Sequence, residues 1–209
     1  MEEKSSTEDV FAKVEARHRE DRVLDTGALR ALAHPLRVRI FDILSQHGPQ
    51  TASSLAALLG ESTGATSYHL RALAKHELIR EVEGRGTARE RWWERPAGGV
   101  SFNNPDAAKT PAGRAAMQLV MTEFFRQRQE QLLGFVSRAE SESEQWRDAS
   151  LISTATARLT PQQSRELTMR IMALIDEAVD LYRDQTGDDV RPVTIRADLF
   201  PLSDLQEES

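Results

Sequence analysis

The sequence predicts a mainly α-helical fold with a small β part. Between residues 24 and 76, apolar residues recur every three or four positions in short runs separated by Gly, Pro and capping residues, which is typical of short amphipathic helices. Two strand-like runs follow, joined by the glycine-containing turn 84–87. The second half of the chain has two longer helical patterns, with predicted strands on either side of the second one.

The first predicted helices are short and have clear ends. Thr26 caps a helix that reads LRALA, and Pro35 then starts the next helix at a position where its missing N–H has no cost. That second helix, PLRVRIFDILSQHG, ends at Gly48. The third helix, ASSLAALLG, begins after Thr51 and ends at Gly60.

The fourth predicted helix, GATSYHLRALAKHE, buries a stripe of Thr66, Leu70 and Leu73 and leaves its other side polar. The runs LIREVE and ARERWWE after it are predicted strands, connected by residues 84–87. Trp92 and Trp93 are adjacent in a strand, so they point to opposite faces and one of them belongs to the core. Two helices joined by a tight turn and followed by a two-stranded ribbon are typical of a winged helix-turn-helix domain, in which one helix enters the major groove of DNA.

The polar side of the fourth helix has the small and hydrogen-bonding groups that groove entry requires. These residues are Thr63, Gly64, Ser67, Tyr68 and Arg71. Arg71 is the strongest candidate for a base or phosphate contact. The predicted hairpin adds three cations that suit phosphate oxygens, Arg85, Arg89 and Arg91. These arginines could instead keep an edge hairpin soluble, and we favour DNA contact because of the helices that precede them.

These segments resemble the ArsR-like winged-helix transcription regulators of bacteria. The resemblance lies in LRALAHPLRVRIFDIL, in ASSLAALLG, in TSYHLRALAKHELI and in the charged hairpin, and it covers about residues 24–95. It implies a homodimer that binds a palindromic operator in double-stranded DNA and represses transcription until an effector binds. It also implies that the recognition positions are Thr63, Gly64, Ser67, Tyr68 and His69, with Arg71 following.

Two departures from the family pattern carry expectations of their own. Metal-sensing members have paired Cys in the helix that here reads ASSLAALL, whereas this chain has no Cys. Its five His residues are scattered, and we therefore predict neither a metal site nor a cofactor. Family members often have Gly where this chain has Glu77, and a positive φ is uncommon for other residues, so the end of the recognition helix is expected to differ.

Composition excludes several classes of protein. The absence of Cys excludes disulfides, thiolate nucleophiles and Cys-based metal centres. The sequence has no apolar run of about 18 residues and no basic-then-apolar start, so we predict a cytoplasmic protein without a membrane segment. No nucleophile–base spacing or phosphate-binding Gly loop is evident, and we predict that the chain is not an enzyme.

Charge is distributed unevenly along the chain. The net charge is −6, but residues 24–98 hold 10 Lys and Arg against 8 Asp and Glu, a net of +2, which leaves −8 for the remainder. The location of charge bears more directly on DNA binding than its total. Because this positive charge is weak, an alternative function stays open, in which the winged helix is a protein–protein interaction module that does not bind DNA directly.

We predict four regions along the chain. Residues 1–23 form a polar and mostly disordered N-terminal arm, for which a short amphipathic helix with Val10, Phe11 and Val14, added to a dimer surface, is the alternative. Residues 24–96 form the winged helix-turn-helix domain, and residues 97–111 a linker. Residues 112–209 form a C-terminal α+β region for dimerisation and, as a further candidate role, for binding a small-molecule effector.

The C-terminal region is predicted to hold a long helix from about Arg114 to Arg147 and a second helix from 161 to 184. Residues 152–158 and 191–202 are predicted strands that could pair with each other. The long helix has an apolar side that indicates a dimer contact, and a ligand pocket is the alternative use of the same side chains. The predicted dimerisation residues are Met117, Val120, Met121, Phe124, Phe125 and Leu132.

Overall fold

The computed structural model describes residues 7–87, 90–102 and 104–203. These residues form mainly helices with small sheets, which confirms the predicted fold class. The chain divides into two compact units, one holding Asp21–Ile152 and the other holding the described parts of Met1–Glu20 and Ser153–Ser209. None of the described helices is both long enough and apolar enough to cross a membrane.

The elements follow one another without long gaps as far as Asp148. In chain order they are α1 (Thr7–Arg19), β1 (Arg22–Val23), α2 (Thr26–Leu32), α3 (Pro35–His47), β2 (Gln50–Thr51), α4 (Ala52–Leu59), α5 (Thr63–Ala74), β3 (Arg80–Thr87), β4 (Glu90–Glu94), β5 (Val100–Ser101), α6 (Pro105–Ala108), α7 (Pro111–Arg138), a 3-10 turn (Ala139–Ser141), α8 (Glu144–Asp148) and α9 (Pro161–Tyr182).

Capping side chains explain where the short helices of the larger unit begin. Asp25, rather than the expected Thr26, caps α2, because its carboxylate accepts a hydrogen bond from the Ala28 N–H at 2.7 Å. His34 caps α3 through Nδ1, and Thr51 caps α4 with a reciprocal capping box. Local hydrogen bonds encoded in the sequence thus set the first residues of α2, α3 and α4.

One apolar core holds the helices of the larger unit together. The inner stripe predicted for the fourth helix is confirmed, since Thr66, Leu70 and Leu73 of α5 are fully buried. They pack with residues of α2, α3 and α4, among them Leu29, Ile40 and Leu55. Burial of this stripe fixes the rotation of α5 about its axis, so the opposite side of α5 faces outward.

β4 is the central strand of the wing, with β2 and β3 antiparallel on either side. Trp93 is buried in the core and Trp92 is half-buried, which confirms that one of the two tryptophans belongs to the core. A second, parallel pairing joins β1 to β5, with Arg22 opposite Val100. This pairing ties the segment before α2 to the segment after the wing.

The long helix α7 belongs to the same unit as the winged helix. It packs on α2 and α3 through its N-terminal half, where Gly113, Ala116 and Val120 are buried. A Cβ at Gly113 would lie 2.1 Å from the Ala107 carbonyl oxygen, so only glycine fits there. The expected linker, residues 97–111, contains β5 and α6, and the expected continuous helix to Arg147 is interrupted after Arg138.

The smaller unit corrects the expectation of a mostly disordered N-terminal arm. Residues 7–19 form the helix α1, which pairs with α9, whereas residues 1–6 lie outside the described part of the chain. Val14 of α1 is buried, and Arg17 Nε lies 3.2 Å from Asp176 Oδ1 of α9. A distant helix thus provides the apolar and ionic contacts that the arm cannot provide for itself.

The two predicted C-terminal strands are wrong. Residues 152–158 and 191–202 have no strand in the structure. Ile152, Val193 and Ile195 are each more than half exposed, so these segments bury no sheet face. An isolated pair of strands is only marginally stable in water when it has no core to pack against. Alternating apolar residues are therefore not enough to form strands in this part of the chain.

Candidate nucleic-acid interface

The N-terminus of α5 is open on its outer side. Ser62 caps the helix, with its Oγ accepting from the Ala65 N–H at 3.1 Å and its carbonyl accepting from the Thr66 N–H at 3.0 Å. The N–H groups of Thr63 and Gly64, in the first turn, have no acceptor within the helix. Supported by the positive end of the helix dipole, they can donate hydrogen bonds to a phosphate oxygen.

The structure brings five of the predicted recognition residues together on the outer side of α5. Thr63, Gly64, Tyr68 and Arg71 are exposed, and Ser67 is half-buried. Within the described residues, the Arg71 guanidinium has no carboxylate partner, so its donors are available to a ligand. This side is a mixture of hydroxyl groups, one aromatic ring and one cation, with no large aliphatic side chain.

Gly64 has no role in the packing of the described chain. A Cβ built there would meet only Ser62 Oγ, at 4.0 Å, and Gly64 is not among the glycines with positive φ. A glycine in a helix costs roughly 1 kcal/mol relative to alanine. The fold therefore tolerates this residue without needing it, and its exposed position at the start of α5 is its distinguishing feature.

His69 is a correction to the predicted contact set. Its side chain is only 9% exposed, and its Nδ1 accepts a hydrogen bond from Arg37 Nε at 3.3 Å. Its ring centroid lies 4.6 Å from that of His34. Burial lowers the pKa of His69, and the neighbouring His34 and Arg37 lower it further. His69 therefore joins α5 to the start of α3 and does not face a ligand.

Periodicity alone could have placed His69 correctly. It lies three residues after Thr66 and four before Leu73, on the stripe that packs inward. The family resemblance implied that Ser67, Tyr68 and His69 are all recognition residues. In the helix, Ser67 and Tyr68 lie on the outer side, whereas His69 lies on the inner side.

In the wing, the Arg85 side chain is positioned by a contact with the Trp92 ring. The Arg85 guanidinium carbon lies 3.7 Å from the centroid of the Trp92 ring, a cation–π contact between β3 and β4. Arg91 Nη1 instead lies 3.2 Å from Glu81 Oε2, so a cross-strand carboxylate offsets its charge. Arg89 lies outside the described residues. The turn predicted at residues 84–87 is wrong, because β3 continues to Thr87, which pairs with Glu90 of β4. Gly84 and Gly86 do have positive φ, but they lie within β3 where its register with β4 shifts.

The C-terminus of α5 ends on a left-handed residue that is not glycine. Glu77 has φ of 54°, and the Leu78 N–H donates to the Leu73 carbonyl at 3.2 Å, so the helix ends in the way that a glycine would allow. Arg22 adds a cap, with Nη1 2.7 Å from the Glu77 carbonyl oxygen and Nη2 2.8 Å from the His76 carbonyl oxygen. Sequence reasoning missed Arg22, because it lies in the segment assigned to the arm.

Three of the predicted dimerisation residues serve the core of their own chain. Val120 is fully buried, Met117 packs against the core, and the Phe124 ring lies 4.8 Å from that of Phe102. The sequence showed that α7 has apolar residues on one broad side, but it did not show that half of that side covers α2 and α3. Val120 is therefore withdrawn from the dimer prediction.

The outer side of α7 carries the apolar residues that stay exposed. Phe125 and Leu132 are exposed as predicted, and Met121 is half-buried. Further exposed apolar side chains on this helix are Leu119, Leu133 and Val136. We call these five exposed residues the α7 apolar face: Leu119, Phe125, Leu132, Leu133 and Val136.

Comparison with known proteins identifies the domain that holds this interface. Residues 32–82 match a family model described as a helix-turn-helix domain. The match runs from the end of α2 into β3 and confirms the ArsR-type resemblance for this part of the chain. The chain thus has a helix-turn-helix DNA-binding domain, which suggests a transcriptional regulator.

Comparisons over the whole chain are less informative. No curated protein matches the chain significantly. A solved structure titled as that of RV1404 from Mycobacterium tuberculosis is similar at 20% sequence identity, covering 85% of this chain and 97% of that chain. Its TM-score of 0.28 is too low to establish a common fold.

The described residues contain no group of three or more His, Asp or Glu side chains that could hold a metal ion. The small-molecule effector stays a prediction, and a thermal-shift screen of the full chain tests it, because a ligand that binds the folded state raises the melting temperature.

Proposed function

We propose that the chain is a sequence-specific, double-stranded-DNA-binding transcriptional regulator that acts as a homodimer and represses from a palindromic operator. The observation that carries this proposal is the outer side of α5, where polar side chains lie together with Arg71 and Gly64. Among the residues that the structure describes, Arg71 has no carboxylate partner and Gly64 has no role in packing. A core-facing or protein-binding helix would be expected to present aliphatic side chains there instead.

Each residue of this surface has a distinct role in the proposal. Arg71 reaches a base edge in the major groove, where its two N–H donors match O6 and N7 of guanine. The N–H groups of Thr63 and Gly64 bind a phosphate, and the missing side chain of Gly64 allows the DNA backbone to come close. Arg85 contacts a phosphate beside the groove, because a guanidinium stacked on Trp92 still presents its N–H donors at its edge.

The proposed dimer uses the α7 apolar face. Exposed apolar side chains in such a row on one helix are typical of an association surface. A second copy packed on this face would present a second α5. The two recognition helices would then read half-sites about one turn of DNA apart, roughly 34 Å.

The DNA contacts are tested by binding selection from a random duplex library, followed by gel-shift titration of variants. We expect Arg71→Ala to weaken operator binding and to relax the preference at one base pair by about 1–3 kcal/mol. Arg85→Ala should weaken binding to all duplexes alike and reduce its salt dependence. Arg138→Ala, which removes an exposed arginine at the end of α7, is the control and should change neither.

Measurement at low salt separates this function from the protein–protein alternative. A DNA-binding protein shows a nonspecific component that salt abolishes. If the native chain shows no such component, and if neither Arg71→Ala nor Arg85→Ala changes binding, the interaction module becomes the better description of the domain.

The dimer is tested by sedimentation equilibrium of the full chain. Leu132→Glu combined with Phe125→Glu should shift the chain toward monomer and abolish cooperative binding to a two-half-site duplex, while binding to an isolated half-site is retained. Arg138→Glu places the same charge off the α7 apolar face and should leave the assembly unchanged. A native chain that stays monomeric at all concentrations would disprove the dimer but not the DNA contacts.

A further inference from the structure

The helix α9 has a second apolar side that the smaller unit leaves uncovered. Its first apolar side packs on α1, where Asp176 and Arg165 pair with Arg17 and Glu15 at 3.2 and 2.6 Å. On another side, leucines recur at intervals of seven residues, and they are 38%, 67% and 63% exposed. These leucines are Leu167, Leu174 and Leu181.

The spacing of this side is that of a coiled-coil seam. Ile171 follows Leu167 by four residues, and Ala178 follows Leu174 by four, which gives the alternating intervals of four and three that a heptad repeat requires. Both are half-buried beside the exposed leucines. We call these five residues the leucine seam: Leu167, Ile171, Leu174, Ala178 and Leu181.

Charges beside the leucine seam select the direction of a partner helix. Arg170 and Glu177 are exposed, lie seven residues apart on the same edge of the seam, and have no ion-pair partner within the described residues. In a parallel pair of copies each would face an uncharged position. In an antiparallel pair the same edges meet, so Arg170 faces Glu177 of the second copy, and this contact occurs twice by symmetry.

The antiparallel register also matches the apolar layers. With Arg170 opposite Glu177, Ile171 lies opposite Leu174 and Ala178 lies opposite Leu167 of the second copy. The large Leu167 thus faces the small Ala178, which fills each layer without a clash. The helix of 22 residues is about 33 Å long, enough for these layers and for a further one at each end.

We propose that the leucine seam is a self-association surface, on which α9 of a second copy of this chain packs antiparallel with Arg170 opposite Glu177. This contact is separate from the α7 apolar face and from the DNA-binding side of α5. A second copy fits because the sequence supplies both halves of the charge pairing, as an isologous interface requires.

The absence of Cys from the chain allows a direct test by disulfide trapping in the full-length protein. Leu167→Cys and Ala178→Cys are prepared as separate single variants, mixed and oxidised mildly. Facing positions in the seam come within the range that a disulfide can span. We expect the mixture to give a cross-linked dimer of one variant with the other, while each variant alone stays largely uncross-linked.

Arg183→Cys is the matched control for random collision, because it places an exposed thiol at the C-cap of α9, away from the leucine seam. Disulfide formation is irreversible under these conditions, so even a weakly populated dimer accumulates as cross-linked product. The proposal is overturned if the mixture of Leu167→Cys and Ala178→Cys cross-links no faster than the Arg183→Cys variant. Strong cross-linking of Leu167→Cys with itself would indicate a parallel pair and would overturn it as well.

Charge reversal provides the second test and uses the same cross-linking readout. Arg170→Glu in both copies should lower the association constant roughly tenfold, since two attractive pairs become repulsive. Adding Glu177→Arg restores opposite charges and should restore the yield. A double variant that cross-links no better than Arg170→Glu alone overturns the register.

The outcome is independent of the proposed function. DNA binding by the Arg71→Ala variant is measured on an isolated half-site, which needs no second copy. Dimerisation through the α7 apolar face is measured by sedimentation in a chain that also carries Leu174→Glu, because an intact leucine seam would itself hold two copies together. Trapping across the leucine seam is measured without DNA. Failure of one proposal is therefore distinguishable from failure of the other.

Discussion

Gly64→Ala should stabilise the protein and weaken its binding to DNA. The added methyl group would enter open space in the free protein, where its nearest neighbour is Ser62 Oγ at 4.0 Å. Alanine also restricts the unfolded chain more than glycine does, so we expect the free energy of unfolding to rise by about 0.5–1 kcal/mol. Urea denaturation followed by circular dichroism measures this change.

The same methyl group should obstruct the DNA backbone. If the Gly64 N–H donates to a phosphate oxygen, the new carbon lies beside that contact, and we expect operator affinity to fall at least about tenfold, or roughly 1.4 kcal/mol. Fluorescence anisotropy with a labelled duplex measures the affinity. The two effects have opposite signs, so loss of binding cannot be attributed to loss of folding.

Gly134→Ala is the matched control for this experiment. Its Cβ would lie 3.3 Å from Nη1 of Arg138, the movable end of a long side chain, so this helical glycine can also accept a methyl group. We expect Gly134→Ala to stabilise the chain similarly and to leave DNA affinity unchanged. If Gly64→Ala binds the operator as tightly as the native chain does, the close approach of DNA to α5 is refuted.

Three further predictions concern how α5 is held. Because burial lowers the pKa of His69 below its ordinary 6.5, the unfolded chain takes up a proton first as the pH falls, so the free energy of unfolding should decrease below that pH. His69→Gln should reduce this decrease when urea curves at about pH 7.5 and 5.5 are compared, and an unchanged difference would contradict the burial argument. Arg22→Met should lower the free energy of unfolding by about 1 kcal/mol, because two hydrogen bonds to the end of α5 are lost from a partly exposed guanidinium; an unaltered urea midpoint would show that the cap adds no stability. Glu77→Gly should raise the free energy of unfolding by up to about 1 kcal/mol, because glycine adopts the left-handed conformation of this residue without strain. The thermal midpoint should rise with it. Glu77→Ala keeps the conformation strained and should give no such rise.

The winged helix could be predicted from the sequence because local signals agree with packing there. Caps, glycine stops and a helical stripe all mark the same boundaries, and Thr66, Leu70 and Leu73 were recognised as buried from their spacing alone. The two strands of the wing were predicted, whereas the glycines assigned to their turn lie within β3, where the register shifts. The placement of Tyr68 and Arg71 on the outer side follows directly from these facts.

Features that depend on distant contacts could not be predicted in this way. The helix α1 needs α9, more than 140 residues later, and its polar sequence gives no sign of that partner. Arg22 caps α5 only because β1 pairs with β5, a contact between segments that both appeared irregular. Val120 looked like an interface residue because an apolar side of a helix does not reveal what will cover it.

The position of Trp92 gives the protein an intrinsic fluorescent reporter of its wing. Its indole lies directly beneath the Arg85 guanidinium, whereas Trp93 is enclosed in the core. A phosphate brought to Arg85 changes the electric field across the Trp92 indole and therefore its emission, while Trp93 stays shielded. In a chain with Trp93 and Trp146 replaced by Phe, emission would follow the docking of the wing in real time without any attached dye.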